Sequence, residues 1–126
     1  MNSNKKRHFL QEGERWLRTL EYVQQENIYL KKLLADIIKN GMDNKLLDQV
    51  EYYHNQFIDK DTLLQFLHQD VIRQGKQVEI HESENAEVQD NRLQKRQDKL
   101  RIDMDRMENE FSKLKYSFNN YLASTL

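Results

Sequence analysis

Residues 50–58 read VEYYHNQFI. On an α-helix, side chains three and four apart share a face, so Val50, Tyr53 and Phe57 stand in one line. Tyr52 and Ile58 fall outside that line. One apolar face is enough to seat a helix on a core, whereas a second asks for a second cover. The same stretch holds Glu51 and His54, a Glu-x-x-His pair of the kind that some helical bundles use to hold metal.

The rhythm continues on both sides of this stretch. Leu46 precedes it in phase, and Leu64, Leu67, Val71 and Val78 follow. Lys60 falls where an apolar residue is expected. The run Asp59-Lys60-Asp61-Thr62 offers a cap and a kink, but the phase is kept across it, so the pattern predicts one helix over 44–80. Upstream, Trp16, Leu20, Val23, Asn27, Leu30, Leu34 and Ile37 recur at alternating steps of four and three, a heptad seam that predicts a helix over 9–39. Asn40-Gly41 is its stop, because glycine tolerates the left-handed conformation that closes a helix. Asp43 or Asn44 caps the next one. Downstream, His81 to Asn85 has no periodicity and reads as the second turn, with Ser83 or Asn85 as cap. Leu93, Leu100, Met104, Met107, Phe111, Leu114, Phe118 and Tyr121 then mark a third helix over 86–122. Its seam positions Asp90 and Gln97 are polar, which predicts looser packing in its first half.

Composition points the same way. The chain of 126 residues has no proline and three glycines, too few turn formers for a sheet protein. Charged residues make up 33% and hydrophobic residues 37%, the balance of long solvated helices around a narrow core. Residues 1–8 read as a flexible basic tail with Lys5, Lys6 and Arg7, and 9–122 as a single domain. The expected fold is all-α: an antiparallel three-helix bundle of long helices with coiled-coil-like packing. Each helix would be ~45 Å long or longer. Folding the chain back at its two turns sets Asn27 near Phe57, Leu20 near Leu64, Val50 near Phe118 and Phe57 near Phe111.

Several function classes recede. A formal net charge of −1 supplies no global field for nucleic acid or an anionic membrane. With no cysteine, disulfides and thiolate metal sites are excluded. No apolar run approaches the ~20 residues of a membrane span, and the start of the chain lacks a signal-peptide core. The expected compartment is the cytoplasm. No arrangement of side chains nominates a nucleophile or a base, so the chain is read as a non-enzyme without a cofactor.

The remaining features carry the functional expectations. On helix 2, Tyr52, Ile58, Phe66 and Ile72 form a second apolar stripe with Leu63 at its edge. Helix 1 adds Tyr22, Ile28, Tyr29 and Leu33 off its own seam. Stripes of this kind mark association surfaces, so a homo-oligomer, preferably a two-fold dimer, is expected, with another protein as the alternative cover. Asn27 in the helix 1 seam reads as a register device, and Lys60 as its counterpart on helix 2, pairing with Asp61 or a helix 3 carboxylate such as Glu108. Glu51 and His54 are the candidate metal ligands, but the pattern occurs once and the surrounding seam is apolar. His68 is expected beside Trp16. Charge is uneven: Glu79 to Asp90 holds five acids and no Lys or Arg, whereas Arg92, Lys95, Arg96, Lys99 and Arg101 face Asp98 alone within 92–101. A solvated, mutually neutralising surface accounts for this most simply; a basic stripe joined by the tail at 5–7 would instead bind nucleic acid or an anionic surface. The leading expectation is a protein–protein interaction, scaffold or accessory module that self-associates through the outer faces of helices 1 and 2. Anion binding is the first alternative, and a metal- or ligand-binding bundle the second.

Overall fold

A computed structural model describes residues 1–41, 47–81 and 86–125. The expected caps Asp43, Asn44, Ser83 and Asn85, and the seam residue Leu46, lie outside the described residues. Three helices account for the described chain: α1 (Ser3–Lys39), α2 (Leu47–Glu79) and α3 (Ala86–Thr125). They form an all-α three-helix bundle. Contacts such as Gly13 with Val71 and Asn27 with Phe57, and Tyr53 with Ser117 and Gln74 with Leu93, show that neighbours in sequence run antiparallel.

The seams form the core. Leu20, Val23, Leu30 and Leu34 of α1, Val50, Tyr53, Phe57, Leu64, Leu67 and Val71 of α2, and Leu100 through Tyr121 of α3 bury into one cluster. Trp16 and Ile37 are half-buried against it. Burying a side chain of this size removes enough apolar surface from water to contribute roughly 1.5–3 kcal/mol each, and that gain orders helices whose own propensity is marginal.

The start of α1 differs from expectation, whereas the unbroken course of α2 agrees with it. α1 begins at Ser3, not near Phe9: Asn2 caps it by accepting a hydrogen bond from the Lys5 backbone N–H at 2.7 Å. Phe9 is buried with Val78 and Leu93, and Lys6 donates to the Glu79 carbonyl at 2.8 Å, so residues read as tail continue a packed helix. α2 runs without a break through Asp59 to Thr62. The polar seam residue there is accommodated because Lys60 reaches the bundle edge and meets Glu110 of α3 at 3.3 Å, instead of Asp61 or Glu108. α1 closes as its sequence predicts: Gly41 has φ +88° and its N–H donates to the Ile38 carbonyl at 3.2 Å.

One layer of the α2–α3 pairing is richer than the fold-back suggests. Tyr53, Phe57, Phe118 and Tyr121 form an aromatic cluster, with Phe57 and Phe118 edge-on at 5.0 Å between ring centroids. Rings reach across layers, so Phe118 meets Phe57 although helix spacing alone set it opposite Val50.

Candidate functional site

The heptad geometry places the expected outer stripe on several sides of the molecule. Lys31 pairs with Asp61, which marks the flank where α1 and α2 meet. Ile28 and Ile58 sit one turn before these partners on their respective helices, so they belong to that shared flank. Ile72 joins them two heptads on, lining a groove with Leu10, Gly13 and Leu17. Tyr22 and Tyr29 instead follow the α1 flank that faces α3: Glu26, one turn from Tyr22, pairs with Lys115 at 2.7 Å. Tyr52 lines a groove with Ser117 and Asn120 on the α2–α3 side, and Phe66 lies two heptads from Tyr52 on the same flank. Leu33 and Leu63 are half-buried against the core. Tyr22, Tyr29, Tyr52 and Phe66 are the more open members, each between 54% and 64% exposed. On α3, Ile102 and Tyr116 are as exposed, a surface that attention to the two crowded helices overlooks.

Asn27 sits fully inside the bundle. Its amide donates to the Phe57 carbonyl at 3.0 Å and to Asp61 at 2.7 Å, and Asp61 also takes Lys31. The α1–α2 register is thus tied by a seam amide, a flanking carboxylate and a lysine. A shift by one residue would strand a buried amide without partners, at a cost of about 1–3 kcal/mol.

A second polar layer crosses all three helices. Glu12, Gln74 and Gln97 are buried. Gln97 donates to Glu12 at 2.8 Å and to the Phe9 carbonyl at 3.3 Å. Gln74 donates to Gln97 at 3.1 Å and to the Leu93 carbonyl at 2.9 Å. Arg101 closes the layer with a forked contact to Glu12 at 2.7 and 2.9 Å. Burial pushes the Glu12 carboxyl up, but the hydrogen bonds from Arg101 and Gln97 and the guanidinium charge outweigh it and hold the carboxyl below its ordinary value. The same contact raises the Arg101 guanidinium. The layer separates the main core from a smaller one made of Phe9, Val78 and Leu93. At that end of the bundle the Met1 amino group meets Asp90 at 2.7 Å, and His81 Nε2 lies 2.6 Å from the other Asp90 oxygen, an ion pair whenever the ring is protonated.

Of the expected basic stretch, Lys99 pairs with Asp103 at 2.9 Å, and Arg101 with Glu12 and Asp98. Arg92, Lys95 and Arg96 make no ion pair among the described residues. Of the basic residues at the start of α1, Lys6 donates to the Glu79 carbonyl, and Lys5 lies over the Phe9 ring at 5.6 Å and near enough to Asp98 to act on its carboxyl. Glu51 and His54 are both exposed on α2, and among the described residues no group of three or more His, Asp or Glu side chains is arranged to hold a metal ion. His68 is exposed and lines a groove with Leu20 and Gln24, whereas Trp16 lines a different one with Val71 and Ile72. Among the described residues no helix is long and apolar enough to cross a membrane.

No protein-family model, no curated protein and no solved structure matches this chain. The class defined by fold and surface is a three-helix bundle with two buried polar layers and apolar side chains left open on its outer faces.

Proposed function

We propose that the bundle is a non-enzymatic protein–protein interaction module, a scaffold or accessory subunit of the cytoplasm, that self-associates as a dimer through the outer faces of α1 and α2. The observation that carries this reading is the exposure of Tyr22, Tyr29, Tyr52 and Phe66, aromatic side chains that stand more than half open on the two helices that contact each other most extensively. Aromatic residues bury large areas at little entropic cost and dominate interface cores. Ile28, Ile58 and Ile72 add a separate apolar strip on the flank shared by α1 and α2, around the Lys31–Asp61 pair.

Sedimentation equilibrium over a wide concentration range tests this. The wild-type chain is expected to sediment as a dimer that dissociates on dilution. Ile28→Glu with Ile58→Glu and Tyr52→Glu with Phe66→Glu bear on two different flanks, and the pair that dissociates the dimer with helical circular dichroism intact locates the contact. A monomer at every concentration overturns the proposal.

A further inference from the structure

Two adjoining grooves run between α2 and α3 near the smaller core. The larger, about 450 Å³, is lined by Arg73, Gln77 and His81 on one side and by Gln89, Arg92 and Arg96 on the other. The smaller, about 220 Å³, shares Arg73 and Arg96 and adds Asp70 and Lys99. Three guanidinium groups from two helices therefore converge on one channel. Among the described residues no carboxylate lines the larger groove. Arg73 pairs with Asp70 at 3.5 Å, and among the described residues Arg92 and Arg96 have no ion-pair partner. The bases around them are neutralised, Lys99 by Asp103 and Arg101 by Glu12 and Asp98. Like charges brought together repel unless an anion lies between them.

We propose that this channel binds a ligand carrying two or more closely spaced phosphate groups, held by Arg73, Arg92 and Arg96. The guanidinium fork matches phosphate oxygens in pairs, which a lysine ammonium does not. Arg92 and Arg96 are one turn apart, about 6 Å along the α3 axis, and Arg73 faces them from α2. That spacing suits a chain of phosphates better than a single one. Gln77 and Gln89 add neutral donors at the sides. No Phe, Tyr or Trp lines the channel, so a nucleobase has no ring to stack on and the phosphates themselves are the recognised part. The channel lies on the α2–α3 flank one heptad beyond Phe66, toward the smaller core, and phosphate binding there does not require the chain to dimerise.

The test is isothermal titration of the full chain with tripolyphosphate at low salt, run beside co-sedimentation with phosphatidylcholine vesicles with and without phosphatidylinositol bisphosphate. Saturable binding of one tripolyphosphate is expected, with inorganic monophosphate much weaker. Arg92→Gln with Arg96→Gln should weaken it roughly tenfold or more, in line with the loss of charged hydrogen bonds. Arg15→Gln with Arg18→Gln removes the same charge from an exposed part of α1 and should leave binding unchanged; circular dichroism confirms that both variants fold. Binding confined to the bisphosphate vesicles and lost in the Arg92/Arg96 variant supports the site and assigns the phosphates to a lipid headgroup. Absence of binding in both arms, or equal weakening by the two variants, or no weakening by Arg92→Gln with Arg96→Gln, overturns it.

Discussion

Phe57 is fully buried, packed edge-on against Phe118 and beside Tyr53, so no part of its ring meets water. Truncation to alanine removes the transfer free energy of the ring and leaves a cavity that helices pinned on both sides by the Asn27 and Tyr53 hydrogen bonds cannot easily close. Phe57→Ala should therefore lose roughly 3–5 kcal/mol of unfolding free energy in urea titration; a loss below about 1 kcal/mol would mean that the ring is not in the core. The glycines give the opposite sign where space allows. A methyl group at Gly75, inside α2, meets nothing within 4 Å, so Gly75→Ala should stabilise by about 0.5–1 kcal/mol through the unfolded chain's lost freedom. At Gly41 the space is equally open but φ is +88°, and Gly41→Ala should cost about 1 kcal/mol. Thermal melts of the two variants, shifting in opposite directions, check both.

At the scale of the helices, the seams were legible because burial on a long helix repeats with its period. Positions read in phase from 50–58 outward, among them Leu64, Leu67 and Val71, are buried. The start of α1 was not legible, because a run of Lys5, Lys6 and Arg7 resembles a tail until Phe9 is seen packed on Val78 and Leu93. The polar layer was half legible. Gln74 lies in phase between Val71 and Val78, as Gln97 does before Leu100, and two polar seam positions on facing helices are a signal that they meet. Glu12 lies one step off its seam and gave no such sign; only the reach of Arg101 across from α3 explains its burial. The outer stripe illustrates the converse. Tyr52 and Ile58 both lie outside the seam, but periodicity does not say which neighbour flanks each, and the bundle sends them to different flanks. The Glu12 contact carries a pH signature. Its carboxyl is held below the ordinary value in the folded chain, so the unfolded chain takes up that proton first as the pH falls. The stabilisation is complete above the ordinary glutamate value, about 4.3, and is lost as the pH drops through the lowered folded value. Glu12→Gln keeps the shape and removes the titration. The stability difference between wild type and variant should therefore be flat from neutral pH down to about pH 5 and change below it. A difference constant down to about pH 3 would show that the Arg101 contact does not shift the Glu12 proton equilibrium.

The molecule as a whole is divided by that layer into two unequal parts. Below it, Phe9, Val78 and Leu93 form a small core with Met1 and Leu10; above it, the remaining seams and the aromatic cluster form the large one. Gly13 stands next to Glu12 and Gly75 next to Gln74, so α1 and α2 each carry their weakest helix former where apolar packing is interrupted. Hydrogen bonds through Gln97 and Arg101 hold the two parts in register, but a polar layer contributes less net stability than the apolar one it displaces. The small core has only a few side chains to oppose the entropy of ordering the helix ends that carry it. It should open as a unit without unfolding the rest. Native-state hydrogen exchange makes this concrete: amides of residues 6–10, 76–79 and 90–95 should exchange through one shared opening of lower free energy than amides of 23–34, 57–67 and 104–118, which should exchange only by global unfolding. Gly75→Ala should raise the protection of the first set more than that of the second, because it stiffens α2 where the parts join. Uniform protection along all three helices would mean that the polar layer transmits cooperativity as well as apolar packing does, and that the bundle opens only as one piece.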